Sequence, residues 1–392
     1  MINDFSFIPF PKISFGAGEF LKLPKRLTHN SKILLITGGN SLESSGLLKK
    51  FTDSLNQLEI SFEVVKIISE PSPELIDDIT EKYRRRNLTS IIAVGGGSVL
   101  DAGKAIAAML PLKDSIVNYL EGVGTKTHPG STVSFIAIPT TAGTGSEATK
   151  NAVISSIGQK GFKKSLRHDN FVPDMAVIDP ELMLSCPQNL TAACGLDTIT
   201  QLLESYVSSK ANPITDALAF GALEKVMPSF EKAVKNGSTD INARADMAYG
   251  ALISGITLAN SGLGIVHGFA SPIGGFFDIP HGVVCGTLLP IATELNIKKL
   301  QASDDQEHKE RFFKHIKVAR LLPEADKLSD NGALQVLIEQ FYKWVDEFEI
   351  PSLSHYGINE NDFEKIINVT GIKNNPVDLD ESDLREILLK RL

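Results

Sequence analysis

The sequence predicts an α/β amino-terminal half built on a parallel sheet, followed by an all-α carboxyl-terminal half. Three observations carry that prediction. Up to about residue 185, short and nearly continuous apolar runs alternate with helical stretches, the texture of right-handed βαβ units. Beyond that point the extended runs give way to long segments of helical period. A chain of 392 residues also exceeds what one hydrophobic core normally serves, so two domains are expected, divided as 1–185 and 186–392.

Residues 32–37 (KILLIT) read as a strand buried on both faces. Gly38, Gly39 and Asn40 end it, and residues 41–58 read as a helix. The alternation repeats with a strand at 62–68, a helix at 73–86 and a strand at 90–94. A glycine turn at Gly95, Gly96 and Gly97 then runs into a helix of strong formers, SVLDAGKAIAAML. Two further buried strands are expected at 133–138 and 175–178, with an inserted hairpin at 151–167 turning on GQKG. The helices expected afterwards span 196–208, 214–236, 243–261, 283–297, 307–321, 331–347 and 381–389. Residues 301–309 form a charged, exposed connection, and no repeat or low-complexity tract interrupts the series.

Composition removes several classes of function. A net charge of -8 leaves no electrostatic footprint for nucleic acid or an anionic membrane. The one basic cluster, KYRRR at 82–86, follows the acidic ELIDDITE and reads as a solvated helix end. Cys186, Cys194 and Cys285 are odd in number and lack CxxC spacing, which argues for a reducing compartment rather than a disulfide framework. The opening MINDFSFIPFPKISFGAGEF has no basic region followed by an apolar one, and no run reaches the roughly 18 apolar residues of a membrane span. A cytoplasmic protein is therefore expected, with a homodimer as the base-rate assembly.

The chemistry concentrates in a few places. Gly96, Gly97 and Ser98 end a strand and open a helix, where free N–H groups and close backbone approach favour an anion such as a diphosphate. Glycine is also needed at many strand ends for steric reasons alone. A Walker A loop is excluded, because five residues separate Gly97 from Gly103-Lys104 and Ala105 follows; GxGxxG is absent from the first βα turn. IPTTAGTGSE, at 138–147, packs Thr140, Thr141, Thr144 and Ser146 beside two glycines. It suits either a ligand crevice at a strand end or a polar cap on the next helix. Asp197 and Gln201 share one helix face. With His267 and His281, two of only eight histidines, Asp197 makes a plausible 2-His-1-carboxylate metal set. A helix cap or a surface role for Asp197 and core histidines bonded to carbonyls are the plainer readings.

GGGSVLDAGKA, PTTAGTGSE, VPDMAVIDPELM, GLDTITQLLESYVS and GLGIVHGFASPIGGFFDIPHG stand in an order and spacing that resembles the iron-containing (group III) alcohol dehydrogenases. The likeness runs from FGAG at Phe15 to NNPVDLDESDLREIL and so covers essentially the whole chain. It implies the dehydroquinate synthase-like, group III alcohol dehydrogenase fold. There a dinucleotide-binding α/β domain faces a helical domain, with a divalent metal and the nicotinamide in the cleft between them. It also implies Fe²⁺ or Zn²⁺, NADP or NAD, and a small alcohol or aldehyde as substrate.

Residue by residue, the likeness puts Gly96, Gly97 and Ser98 at the diphosphate and Thr140, Thr141, Thr144, Ser146 and Leu182 around the cofactor. Asp101 falls on the nicotinamide side, and Lys163 near the cofactor ribose, with Lys164 as the neighbouring alternative. The metal ligands, an Asp, a His four residues on and two later His, fall on Asp197, Gln201, His267 and His281. Three match, and the amide of Gln201 is a weaker ligand than imidazole. Ser271 stands where relatives carry a histidine near the substrate, and would pass a proton only as a neutral hydroxyl. Gly38 and Asn40 end a strand where members preferring NAD tend to carry an acid that bonds the ribose 2′-hydroxyl. Its absence predicts NADP(H) preference. A lyase resembling 3-dehydroquinate synthase and a non-catalytic nucleotide-binding protein remain as alternatives at this level.

Overall fold

The computed structural model describes residues 4–392; residues 1–3, part of the stretch in which no leader is expected, lie outside the described residues. Eight strands occur among those described: β1 (Lys12–Phe15), β2 (Lys32–Thr37), β3 (Ser61–Lys66), β4 (Ser90–Gly95), β5 (Ser134–Pro139), β6 (Asn151–Ser156), β7 (Phe162–Arg167) and β8 (Met175–Ile178). Six of them pair in parallel in the order β1-β8-β5-β4-β2-β3. The other two, β6 and β7, form the expected antiparallel hairpin apart from the sheet.

Alternate residues of a strand point to opposite faces, and here both faces are covered. Ile91 and Ala93 of β4 pack into a core with Leu100 and Ile106, whereas Ile92 and Val94 pack with Phe51 and Ile138. That is why these strands read as unbroken apolar runs. The edge strand β3 is largely exposed, and β1 escaped the sequence reading because KISF is short and also lies at an edge. The register sets Gly95 of β4 beside Pro139 of β5, so the glycine turn and the hydroxyl-rich loop leave the sheet side by side.

A third core gathers the carboxyl-terminal helices around Leu196, Phe230 and Trp344, and reaches the sheet through Ala176 and Ile178 of β8. The expected helices are present with shifted ends: Gln188–Val207, Pro213–Asn236, Ile241–Ser261, His281–Gln301, Gln306–Ala319, Asp330–Glu347 and Glu381–Leu389. Two differences have local causes. The helix expected at 41–58 breaks into Ser41–Ser44 and Leu47–Gln57, because Gly46 adopts a left-handed φ of 71°. Ile265–Phe276 is helical although its glycines and Pro272 hide the period. The three cysteines are free, and among the described residues no single helix is long and apolar enough to cross a membrane.

Candidate functional site

The glycine turn opens the helix Gly97–Met109, whose amino-terminal cap, Gly96, supplies no side-chain hydrogen bond. The first amides of that helix are therefore available to an anion. A Cβ at Gly97 would stand 2.7 Å from Thr144 Oγ1, so only glycine lets the turn meet the hydroxyl-rich loop. Gly96 faces Thr141 less tightly, a Cβ there standing 3.4 Å from Thr141 Oγ1.

That loop is fixed from both sides. Thr198 donates to Ala142 O at 3.2 Å and Gly143 O at 3.1 Å, docking the loop onto the helix Gln188–Val207. From the sheet side, the buried Lys104 ammonium donates to Ser146 O, Thr149 O and Thr149 Oγ1. Asp101, also buried, accepts from the Ser146 hydroxyl, and burial raises its carboxyl above the usual range.

Between these loops, the hairpin and the helices lies a cleft of about 480 Å³. Gly97, Ser98, Asp101, Thr144, Ser146 and Lys163 line it from the amino-terminal side, and Gln201, His267, Ser271 and His281 from the helical side. Thr140 and Leu182 face a smaller recess of about 160 Å³, beside Ser41 and Leu42. Gly38 follows β2 and donates to Val94 O, and Asn40 is exposed, its Oδ1 accepting from Lys66 at 2.7 Å. Lys163 pairs with Glu70 at 2.8 Å, and Glu70 also accepts from Ser98 and Ser155. Ser271 donates to Lys163 O at 2.8 Å, tying the helix Ile265–Phe276 to β7.

His267 and His281, which line the cleft, meet the buried Asp197 beside it. His267 Nε2 lies 3.2 Å and His281 Nε2 3.7 Å from the same oxygen, Asp197 Oδ1. Two residues the sequence reading missed complete the group. Glu204, two turns beyond Asp197 on its helix, takes a 2.7 Å hydrogen bond from His267 Nδ1 and another from Val266 N. Cys285, one turn beyond His281, brings Sγ to 3.6 Å from His267 Nε2 and 3.7 Å from His281 Nε2. The spacings Asp197-x₆-Glu204 and His281-x₃-Cys285 were the available signals, each placing both side chains on one helix face.

The electrostatics of this group call for a cation. A carboxylate cannot donate, so Nδ1 of His267 carries the proton shared with Glu204, and in the neutral ring the Nε2 lone pair then faces an Asp197 oxygen. Such a clash of lone pairs is relieved by a proton or by a metal ion between them. Without a metal the ring takes the proton. Burial opposes that charge, but Cys285 and the bonds to Asp197 and Glu204 outweigh it and hold His267 well above the ordinary histidine range. For Asp197, burial is overcome by His281 and His267, which hold it down at about 2. Desolvation, opposed by Asp197 and reinforced by Lys163, lowers His281 to about 4, leaving that ring neutral and able to ligate. Burial lifts the Cys285 thiol to about 12.

The nearer donor pairs, at 3.2 to 3.7 Å, also match a metal by size. Tetrahedral zinc, with bonds of about 2.0 Å to N or O and about 2.3 Å to S, separates neighbouring donors by roughly 3.3 to 3.6 Å. Asp197, His267, His281 and Cys285 offer donor atoms that all lie within 4.8 Å of one another. Glu204 behind His267 is the outer carboxylate that commonly fixes the tautomer of a ligating histidine. Gln201 is buried one turn beyond Asp197 on the same helix, with its Oε1 accepting from Ser254 at 2.9 Å.

Comparison with known proteins places these features in a family. Residues 11–180 match the family model for iron-containing alcohol dehydrogenase, and residues 191–392 match that for the carboxyl-terminal part of the same family. The chain is 33% identical to long-chain-alcohol dehydrogenase 1 of Geobacillus thermodenitrificans, across 97% of this chain and 94% of that protein. It is 32% identical to the NAD-dependent methanol dehydrogenase of Bacillus methanolicus, across 91% of each. Among solved structures, the alcohol dehydrogenase from Oenococcus oeni superposes with a TM-score of 0.87 at 30% identity, covering 99% of this chain and 100% of that one.

Proposed function

The chain belongs to the iron-containing alcohol dehydrogenase family, and from that premise we propose how its own residues carry out the interconversion of a small alcohol with its aldehyde or ketone. The observation that carries the proposal is the meeting of the buried Asp197 with His267 and His281, which line the same cleft as Gly97 and Ser98. Asp197, His267 and His281 hold a divalent ion, Fe²⁺ or Zn²⁺. A bound ion supplies Lewis acidity toward the substrate oxygen, and the nicotinamide supplies the hydride chemistry.

The protein does the remaining work. Gly96, Gly97 and Ser98 receive the diphosphate on the free amides of their helix. Thr140, Thr141, Thr144, Ser146 and Leu182 line the rest of the cofactor, with Lys163 toward the ribose and Asp101 toward the nicotinamide. Glu204 keeps the His267 tautomer with Nε2 turned inward. Ser271 lines the substrate side, where its hydroxyl also anchors the backbone of β7 at Lys163. The cleft holds the reactants together and keeps water from the transfer.

The amino-terminal 1–185 serves as the cofactor domain and 186–392 as the metal and substrate domain. The cofactor preferred is NADP(H) rather than NAD(H), because Gly38 offers no carboxylate at this strand end to repel a 2′-phosphate; the nearby Lys66 is paired with Glu43 and adds no net charge. Free cysteines support a reducing, cytoplasmic setting, and a homodimer is the assembly on base rate. Reduction of an aldehyde panel, run with NADPH and NADH, tests the reading. NADPH should give the higher kcat/KM. His281→Ala should lose more than about 100-fold in rate, since altering an outer partner of a ligand alone costs 10- to 100-fold, while still binding NADPH. Unchanged turnover in His281→Ala would refute the metal-assisted mechanism.

A further inference from the structure

We propose that Cys285, and not Gln201, is the fourth protein donor to the metal, so that the ion is held by one carboxylate, two imidazoles and one thiolate. The inference rests on the reading of Asp197, His267 and His281 as ligands and adds to it the identity of the remaining donor. Three observations carry it.

First, Sγ of Cys285 approaches both ligand rings, at 3.6 Å from His267 Nε2 and 3.7 Å from His281 Nε2. A thiol is only a weak donor and a weak acceptor, so hydrogen bonding alone gives little reason for it to lie against two ring nitrogens. Convergence on two, at the separation that sulfur and nitrogen keep around one tetrahedral ion, is the arrangement of a shared ligand. Second, the helix His281–Gln301, buried from Val283 to Thr293, places His281 and Cys285 one turn apart on the same side. Third, the Gln201 amide is already engaged. Its oxygen accepts from Ser254 at 2.9 Å.

The chemistry is consistent with this assignment. Ion binding replaces the thiol proton, which leaves to solvent; the S–H bond breaks, the sulfur pair is donated to the metal, and no electron is transferred. Two anionic donors, Asp197 and Cys285, then balance a divalent charge that one carboxylate and neutral ligands leave half compensated. The thiolate also supplies the softer, stronger donation that an amide oxygen lacks.

Cobalt(II) loaded into metal-stripped protein reports the assignment directly, because thiolate ligation gives a near-ultraviolet charge-transfer band that N and O ligands do not. Wild type and Gln201→Ala should bind one equivalent of Co²⁺ and show the band. Cys285→Ser should bind it at least about tenfold more weakly and without the band. One equivalent bound by wild type with no charge-transfer band, or loss of the band in Gln201→Ala with its retention in Cys285→Ser, would overturn the inference alone. Failure of wild type to bind Co²⁺ at all would overturn the metal reading beneath it. Should Cys285→Ser not fold, the wild-type spectrum still decides.

Discussion

Lys104 and Glu147 are each only 2% exposed; Glu147 ends the hydroxyl-rich loop and Lys104 fastens it from the neighbouring helix. Lys104 has its ammonium saturated by carbonyls and a hydroxyl, including Asn151 O at 2.9 Å, so it fastens the loop to β6. Burial lowers it to about 8. Glu147 leaves Oε1 without a partner among the described residues, and burial raises it from 4.5 to about 7. Between those values the unfolded chain has already released the Glu147 proton and the folded chain still holds it. Stability is therefore full below about pH 4.5 and declines as pH rises to about 7, by about 3 kcal/mol at most. Lys104 acts in the opposite sense, stability rising between about pH 8 and 10.5 as the unfolded chain alone stays protonated. Glu147→Gln should flatten the decline seen in urea midpoints between pH 4.5 and 7. Parallel curves for the two proteins would show that Glu147 is not the group responsible. Glu147 was legible as part of PTTAGTGSE, but its burial was not, since a carboxylate following a polar run reads as exposed.

At the scale of elements, the site depends on how the loop 140–147 meets the helix Ile241–Ser261. Gly145 adopts φ 62°, and a Cβ at Gly255 would stand 2.1 Å from Gly145 O, so backbone lies on backbone. Gly255→Ala must push the loop away from the helix, at a cost of about 1 to 3 kcal/mol in stability. Because the same loop carries Thr141 and Thr144 against Gly96 and Gly97, cofactor KM should rise as thermal stability falls. A variant with unaltered melting temperature and cofactor KM would mean that this contact does not position the loop. The strands and most helices were readable because period and apolar runs encode them. The helix Ile265–Phe276 was not, since Gly268, Gly274, Gly275 and Pro272 speak against helix locally while tertiary packing enforces it. Its partners explain why glycine is required: a Cβ at Gly268 would meet Gly371 O at 2.3 Å, and one at Gly275 the backbone of Phe162 at 3.0 Å. Glu204 and Cys285 were missed for another reason. Each sits at regular helix spacing from a recognised ligand, but only the crossing of three helices brings the two pairs together.

For the whole molecule, the metal donors come from three helices, Gln188–Val207, Ile265–Phe276 and His281–Gln301, whose sequence order gives no hint of their convergence. An ion at their meeting point binds the folded chain and not the unfolded one, so it must stabilise the fold. At 100 times its Kd it contributes about 2.7 kcal/mol, which for a chain of this size corresponds to a rise of several degrees in Tm. Chelation should lower Tm by that amount, and Zn²⁺ or Fe²⁺ should restore it. The loss should be local as well. Stripping the ion leaves Asp197, His281 and Cys285 facing one another with only a proton on His267 to relieve them, whereas the parallel sheet keeps every contact of its two flanking cores. Amide hydrogen exchange in the stripped protein should therefore speed up in those three helices and stay slow in β2, β4 and β5. His281→Ala should melt at the same temperature with or without added ion. If the wild type did so too, the convergence of these donors would be a packing arrangement of polar groups and not a site for a metal.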